Sequence, residues 1–261
     1  MKLSIQKIFI TGLTLLCVSN VSFAGTLTDC ATAKDNNWGN QEFDYGDASG
    51  YGQACHESNA WQQLGTSNVS LNGDNGGDRS GVDNIGWTEE TSQNAVDSGD
   101  NGVQWRVKGT DTWGNNDFAP GDTLEFKFVV TRSDDGLHDF DKLKAWIDWD
   151  NSKTFDETPS EIIIDENWDK SNGSGDIQKD FVTEINVPVD AIIGDTWLRA
   201  RVVCEETLNN NFNGTLIATG YGYQGEVEDY KLTINHVPEP TTLLVFGSAL
   251  FGLMFSRKKS A

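Results

Sequence analysis

Hydrophobic and polar residues alternate along several short stretches of the chain. From Thr123 to Thr131, every second residue is apolar and most of the residues between are polar. A period of two predicts a β-strand with one buried face. Shorter runs of similar composition predict further strands at Val103–Val107, Lys144–Trp149, Glu161–Ile164, Phe181–Val187, Trp197–Cys204 and Tyr230–Ile234.

Turn-forming residues separate these predicted strands, and no window of about 12 residues between positions 25 and 237 has the apolar stripe of a helix. The turn signals are Pro120-Gly121-Asp122, Asn172-Gly173, Ile193-Gly194-Asp195 and Asn213-Gly214. Short strands joined by turns rich in Gly, Asn and Asp are typical of all-β proteins. We therefore expect an all-β fold, an antiparallel β-sandwich with long acidic loops.

The first 24 residues have the features of a secretory signal peptide. Two lysines are followed by an apolar stretch, Ile8–Val18, and then by the small-residue end Ser22-Phe23-Ala24. This arrangement predicts export and cleavage after Ala24. A lipoprotein site at Cys17 is a less favoured alternative, because two leucines precede it in place of small residues.

The C-terminal segment combines a short motif, an apolar run and a basic cluster. Val237-Pro238-Glu239-Pro240 is followed by Leu243–Phe255 and then by Arg257-Lys258-Lys259. Together they resemble the PEP-CTERM sorting tail of Gram-negative bacteria. The resemblance implies that an exosortase cuts near the motif, after the apolar run has held the chain transiently in the inner membrane. The run is shorter than the roughly 20 residues of a stable spanning helix; a permanent anchor is the alternative.

The chain is strongly acidic. It contains 40 Asp and Glu residues and 19 Lys and Arg residues, a formal net charge of -21. The two targeting segments hold five of the basic residues and one acid, Glu239, so the body at residues 25–237 has a net charge of -25. Nucleic-acid binding needs a basic surface, and this composition excludes it. The 13 Phe and 9 Trp residues are too many for a disordered acidic tail.

Export would place the cysteines in an oxidising compartment. Three cysteines follow the signal peptide, and a disulfide bond between Cys30 and Cys55 would stabilise the fold by roughly 3 kcal/mol through loop closure. Cys204 follows apolar residues at alternate positions, so we interpret it as a buried thiol. The three histidines are too few and too scattered for a cysteine–histidine metal site.

Four segments of the body form a recognisable set. They are the closing signature Gly225-Glu226-Val227-Glu228-Asp229-Tyr230, the opening motif Asp44-Tyr45-Gly46-Asp47-Ala48, the strand and acidic loop Ala145–Asp150, and the stretch Pro188–Val203 with Arg199 and Arg201. This set resembles the GEVEDY domain of secreted bacterial surface proteins. The resemblance covers about residues 43–234 and implies one β-rich, calcium-binding extracellular domain without catalytic activity. We divide the chain into a signal peptide (1–24), a lead segment (25–42), one domain (43–235) and a sorting tail (236–261).

The turn predicted around Asp150 has oxygen-bearing side chains at alternate positions. The candidate calcium ligands in this turn are Asp148, Asp150, Ser152, Asp156 and Glu161. Calcium ions bind about six to eight oxygen atoms, which acidic loops supply at this spacing. Lys153 stands where glycine is usual and adds a positive charge, so we expect weak binding, on the order of 0.1–1 mM.

A second set of candidate calcium ligands lies in the opening and closing motifs. It consists of Asp44, Asp47, Glu226, Glu228 and Asp229. On a strand, Glu226 and Glu228 share one face while Asp229 takes the other, so a cation site would need the opening motif as a partner loop. The alternative is that these acids form ion pairs with Arg199 or Arg201 on a neighbouring strand and hold the sheet together.

Glycan binding and glycoside hydrolysis are the competing functions. Candidate residues for stacking on sugar rings are Trp146, Trp149, Trp168, Tyr221 and Tyr223; the alternative is that the tryptophans belong to the core. Paired carboxylates near tryptophan would suit a glycosidase, but the chain lacks the motifs of common hydrolases, metalloproteases and P-loop enzymes. We expect a non-catalytic exported surface or matrix protein that binds Ca²⁺ and acts in adhesion or exopolysaccharide organisation. Its expected partners are signal peptidase, exosortase and surface glycans.

Overall fold

A computed structural model describes residues 29–36, 44–48, 50–57, 61–65, 102–114, 117–132, 138–169 and 177–236. Within these ranges the chain forms mainly strands. In chain order the elements are α1 (Cys30–Asn36), β1 (Asp44–Tyr45), β2 (Ala54–His56), β3 (Gln62–Leu64), β4 (Val103–Val107), β5 (Thr123–Arg132), β6 (Phe140–Ile147), β7 (Ile162–Asp169), β8 (Ile177–Asn186), β9 (Gly194–Cys204), α2 (Glu205–Phe212), β10 (Gly220–Gly222) and β11 (Glu226–Ile234).

Two antiparallel sheets face each other. In sheet I, β5 is central; β8 pairs with it along one edge, and β4 and β3 pair with it along the other. In sheet II the strand order is β11-β9-β6-β7, and each neighbouring pair is antiparallel. The expectation of an all-β antiparallel sandwich is confirmed.

The core lies between sheets I and II. Every second side chain of β5 points into it, as the alternation predicts, and Leu124, Phe126 and Phe128 are fully buried. They belong to one apolar cluster with residues of sheet II such as Leu143 and Leu198. The inward faces of the two sheets are therefore joined by apolar packing.

The outer face of sheet II is covered as well. A small sheet III, with the order β1-β2-β10, contains a parallel pair between β2 and β10, and α2 packs beside it. Leu208 and Phe212 of α2 belong to a second apolar cluster with Trp146 and Val203 of sheet II. Residues of sheet II are thus packed on both of its faces. In a sandwich of only two layers, each sheet would have one face in water.

The sequence has no helical stripe, yet the structure contains α1 and α2. These helices have 7 and 8 residues, too few for a repeating apolar stripe. In α2, the N–H of Thr207 donates to the Cys204 sulfur (3.4 Å), and Asn213 ends the helix with a left-handed φ of 52°. The turn signal Asn213-Gly214 is therefore the C-terminal cap of a helix.

Of the seven predicted strands, only β4 has the predicted bounds, and β6 and β7 show why the others differ. β6 ends at Ile147 rather than Trp149, because Asp148 already belongs to the acidic loop. β7 runs from Ile162 to Asp169 and continues through polar residues, because it is an edge strand whose exposed side chains need not be apolar. The apolar pattern locates these strands but does not fix their ends.

Cys30 and Cys55 form a disulfide bond between α1 and β2, and Cys204 is a buried free thiol. Several features predicted from the sequence lie outside the described residues: the signal peptide, the motif at 237–240, the apolar run at 243–255, the basic cluster at 257–259 and the turn signal at 172–173. Among the residues that the structure describes, no helix combines the length and the apolar character needed to span a membrane.

Candidate metal centre

The loop between β6 and β7 brings three carboxyl groups together. One oxygen from each of Asp148, Asp150 and Glu161 lies within 4.8 Å of the others. Asp148 and Glu161 are buried, whereas Asp150 is exposed. The sheet holds both ends of the loop, because the N–H of Ile147 donates to the Glu161 carbonyl (2.9 Å). Three of the five ligands predicted for this loop are therefore adjacent.

Asp148 is the most constrained of the three acids. Its Oδ1 accepts from the N–H of Ser152 (2.9 Å), and its Oδ2 accepts from the N–H of Lys153 (3.1 Å) and the hydroxyl of Tyr51 (2.5 Å). Asn151 and Lys153 have left-handed φ values of 54° and 68°. Such a conformation costs roughly 1–2 kcal/mol at a residue with a side chain, so the hydrogen bonds to Asp148 stabilise a turn that glycine would form more easily.

The environment shifts the protonation of the other two acids in opposite directions. Burial, together with the negative charges of Asp148, Asp156 and Asp150, raises the pKa of Glu161 to about 7. A hydrogen bond from the N–H of Asp156 (2.6 Å) opposes this shift. Hydrogen bonds with Asp148 and then Ser152 lower the pKa of Asp150. The raised pKa means that Glu161 holds a proton more readily than an ordinary glutamate, whereas the lowered pKa means that Asp150 loses its proton more readily than an ordinary aspartate.

The one lysine of the loop forms its hydrogen bond with Asn151. Lys153 Nζ donates to Asn151 Oδ1 (2.5 Å) and lies 5.5 Å from the centre of the Tyr51 ring. A cavity of about 200 Å³ adjoins the acids, and Asp190, from the segment before β9, lines it together with Asp150. A cation here would have room for further oxygen ligands, as Ca²⁺ requires.

Ser152 and Asp156, also predicted as ligands, form hydrogen bonds within the turn. The Ser152 hydroxyl lies 3.4 Å from Asp148 Oδ1 and 2.9 Å from the hydroxyl of Thr154. Asp156 Oδ1 accepts from the same Thr154 hydroxyl (3.1 Å). Neither residue belongs to the group of three carboxyls.

The opening and closing motifs lie side by side, as the sequence suggests. The N–H of Val227 donates to Asp44 Oδ2 (2.9 Å), and the N–H of Ala48 donates to Asp229 Oδ2 (2.7 Å). Arg199 donates to both oxygens of Asp229, from Nε to Oδ1 (2.8 Å) and from Nη2 to Oδ2 (2.7 Å). Asp229 therefore forms a buried ion pair, which is the alternative to a cation site.

Glu226 and Glu228 point to the other side of β11, toward sheet I. Glu226 Oε2 accepts from the N–H of Leu64. Both oxygens of Glu228 lie 3.2 Å from the N–H of Gly102, and Oε2 also accepts from the Tyr230 hydroxyl (2.7 Å). These contacts hold β3 and the start of β4 against sheet II.

The second set of predicted calcium ligands makes contacts with other parts of the protein and is not gathered into one group among the described residues. Within the described part of the chain, the acids of the two motifs are not part of any group close enough to share a cation. The residues concerned are Asp44, Asp47, Glu226, Glu228 and Asp229. Instead, Asp44, Glu226 and Glu228 accept from backbone N–H groups of other strands, and Asp229 pairs with an arginine.

The structure also reveals a buried histidine that sequence reasoning missed. The Nε of Arg201 donates to His56 Nε2 (3.1 Å), and the Nη2 of Arg201 lies 2.9 Å from the same atom. Arg201 also donates to the carbonyls of Ile217, Thr219 and Gly220. Burial and the charge of Arg201 hold the pKa of His56 well below its usual value. Burial and the charge of Arg199 lower the pKa of Arg201 to about 9. No local sequence signal links residues 145 positions apart.

The comparisons with known families agree with this geometry. Residues 142–233 match the family model of the GEVED domain, and residues 236–258 match the PEP-CTERM protein-sorting motif. Over residues 142–233, about a third of its length, the chain is similar to the GEVED domain. The match runs from β6 to β11 and includes the metal centre, the two arginines and the closing signature. The PEP-CTERM motif is that of an exported protein that exosortase recognises and processes. A search of curated proteins finds no match to the chain.

The tryptophans proposed for glycan stacking are buried in and around the GEVED domain. Trp146, Trp149 and Trp168 are only 0%, 4% and 8% exposed. Because a sugar ring needs an open aromatic face, the interpretation of these three as glycan-stacking residues is wrong, and they belong to the apolar clusters. Tyr221 and Tyr223 differ from them, since they line a cavity of about 300 Å³ beside α2.

Proposed function

We propose that the protein is an exported calcium-binding surface protein that acts in adhesion or in organising an extracellular polysaccharide matrix. The PEP-CTERM motif supports the export and the processing by exosortase. The apolar run Leu243–Phe255 suits a transient hold in the inner membrane, because it is shorter than a stable spanning helix. Calcium bound to an acidic surface would allow that surface to contact anionic polymers.

The group formed by Asp148, Asp150 and Glu161 carries the calcium proposal. Three carboxyl groups within 4.8 Å repel each other unless a proton or a cation is shared among them. All three offer oxygen ligands, which Ca²⁺ prefers, and the adjoining cavity gives space for the larger coordination number of this ion. A bound cation would replace the proton that the raised pKa of Glu161 retains near neutral pH.

Thermal melting in EGTA and in millimolar Ca²⁺ tests the proposal. We expect Ca²⁺ to raise the melting midpoint, because it binds the folded loop and not the unfolded chain. Asp150→Asn removes one charge from the centre and should abolish most of this increase. Glu166→Gln is the matched control, because Glu166 is an exposed acid on β7 outside the centre, and it should retain the full increase. An unchanged midpoint for the native protein would contradict the proposal.

Glycan binding at the cavity beside α2 is a second candidate function. Tyr223 is 36% exposed, and Glu206, Asn210 and Asn211 line the same cavity. An exposed aromatic ring with neighbouring amide and carboxyl groups suits a sugar, which needs stacking and hydrogen bonds together. Tyr223→Ala should reduce retention on the exopolysaccharide of the producing cells. Unchanged retention, with an unchanged melting midpoint, would exclude this cavity as the site.

A further inference from the structure

The C-terminal tail leaves the sandwich at the same end as the metal centre. Ile234, the last residue of β11, pairs with Gly194, the first residue of β9. The segment 187–193 immediately precedes Gly194, and the N–H of Ile192 donates to the Trp149 carbonyl in the acidic loop (2.9 Å). The chain beyond Ile234, the segment 187–193 and the metal centre therefore share one end of the molecule.

This end of the molecule exposes apolar side chains. Val189 is 86% exposed, Ile192 47% and Ile193 37%. Among the described residues, the other large hydrophobic side chains with comparable exposure are Val182 and Tyr223, which lie elsewhere. Removing exposed aliphatic side chains from water is favourable, so three of them within five residues favour a partner surface.

The sequence after the described domain indicates which partner that is. Leu243, the start of the apolar run, is the seventh residue after His236. Seven residues span at most about 25 Å when extended. While the apolar run is in a membrane, His236 must therefore lie within that distance of the run, and the end of the sandwich that carries Val189 faces the same side.

We propose that this end of the sandwich is a lipid-docking surface. Val189, Ile192 and Ile193 enter the headgroup region of the membrane that holds the tail, which places the sorting motif at a fixed distance from the bilayer. This inference rests on the proposed function for the membrane hold and for the calcium site. A hydrated polysaccharide would offer these aliphatic side chains no apolar medium, so a bilayer is the better match.

Charge makes the docking depend on calcium. Asp150, Glu161 and Asp190 line the cavity beside the apolar segment and would be repelled by anionic lipid. A bound Ca²⁺ removes this repulsion. Because three carboxyl groups do not fill its coordination shell, the ion can also accept a lipid phosphate oxygen as a ligand.

The test uses the full chain inserted through its own tail into vesicles of phosphatidylglycerol and phosphatidylethanolamine. A polarity-sensitive dye is attached to Val189→Cys, and lipids carrying a headgroup-level quencher report contact. Val182→Cys is the matched control, since Val182 is also an exposed valine (57%) but lies within β8, an edge strand of sheet I, where it pairs with Lys127 at the middle of β5. Cys204 is buried and burial raises its thiol pKa, so it should not react with the dye.

We expect the dye at position 189 to be quenched in Ca²⁺ and released in EGTA, while the dye at position 182 does not respond. Replacing Ile192 and Ile193 together by serine should abolish most of the quenching without changing the calcium-dependent melting shift in solution. No quenching at position 189, with the melting shift intact, overturns the docking and leaves the calcium site standing. No melting shift and no quenching overturn both. The docking is also overturned if the dye at position 189 responds to exopolysaccharide. The same holds if it responds without vesicles, because the tail or a second copy then covers the segment.

Discussion

Glu161 shows how a single buried acid links protonation, stability and cation binding. Its pKa in the folded protein is about 7, above its ordinary value of 4.5. Between these two values the folded chain binds more protons than the unfolded chain. The stability of the cation-free protein should therefore fall as the pH rises through this window, and the loss should be complete above about pH 7.

The pH dependence of melting in EGTA should report this residue. We expect Glu161→Gln to flatten the decline in the melting midpoint between about pH 4.5 and 7, because glutamine does not titrate. His56 has the opposite effect, because its lowered pKa reduces stability as the pH falls below about 6.5. Since His56 is present in both proteins, the difference between their two curves reports the titration of Glu161. Identical slopes for the native protein and the variant would contradict the assignment.

Calcium affinity should depend on pH for the same reason. Below about pH 7, binding of Ca²⁺ must displace the proton from Glu161, so the apparent affinity should fall by up to about tenfold per pH unit. Isothermal titration calorimetry across the range, with proton release measured in buffers of different ionisation enthalpy, checks this. A constant affinity without proton release would show that Glu161 is not a ligand.

The buried pair between Arg199 and Asp229 should be far more important than a surface pair. The side chains of Arg199 and Asp229 are both fully buried. Asp229→Asn therefore leaves a buried arginine charge without its partner, which typically lowers the free energy of unfolding by about 3–5 kcal/mol. Lys231→Ala removes the lysine of an exposed pair with Asp195 and should leave stability nearly unchanged. Urea unfolding compares the two. Equal midpoints for both variants would contradict a structural role of Asp229.

At the scale of elements, β11 joins the three sheets. Its even-numbered acids accept from the N–H groups of Leu64 and Gly102 in and beside sheet I. On its other face, Val227 and Asp229 contact the opening motif next to sheet III. The closing signature of the GEVED domain therefore has a structural explanation, because each of its polar side chains holds a different segment against sheet II.

Gly225, which precedes β11, should tolerate no side chain. A Cβ there would lie 2.1 Å from the Val202 carbonyl and 2.9 Å from the His56 ring, and its φ is 134°. Gly225→Ala should therefore destabilise the protein by about 3 kcal/mol or more, through overpacking and backbone strain together. Gly109 is the matched control, because it has a φ of 90° with no atom within 4 Å, and its alanine variant should cost only roughly 1–2 kcal/mol. If the close contacts were unimportant, calorimetry would show similar losses of stability for the two alanine variants.

The strands of the sandwich could be predicted because alternation reports a single buried face. The alternation also places Glu226 and Glu228 opposite Asp229, and the structure has this arrangement. The alternation does not show that the outer face of sheet II is covered. From the sequence alone, Trp146 is therefore a candidate for an exposed ring, although it is buried in the second apolar cluster with residues of α2. Contacts such as that between His56 and Arg201 depend on the tertiary fold, which no local pattern encodes.

At the scale of the whole molecule, an acidic body lies between two basic ends. The PEP-CTERM motif begins where the described domain ends, at residue 236. We expect the protein recovered from the extracellular fraction to begin at Gly25 and to lack residues 243–261. Intact mass spectrometry measures this directly. A mass that retains residues 241–261 would contradict processing at the motif.

The arginines of sheet II have a consequence for the lifetime of the protein outside the cell. Arg199 donates to the carbonyls of Gly52 and Ala218 (2.7 and 3.0 Å), and Arg201 donates to the neighbouring backbone. If the outer layer detached alone, two buried guanidinium groups would lose these acceptors, so partial opening would cost nearly as much as complete unfolding. Extracellular proteases cut chains that open locally. The described outer layer should thus resist cleavage as long as sheet II stays folded.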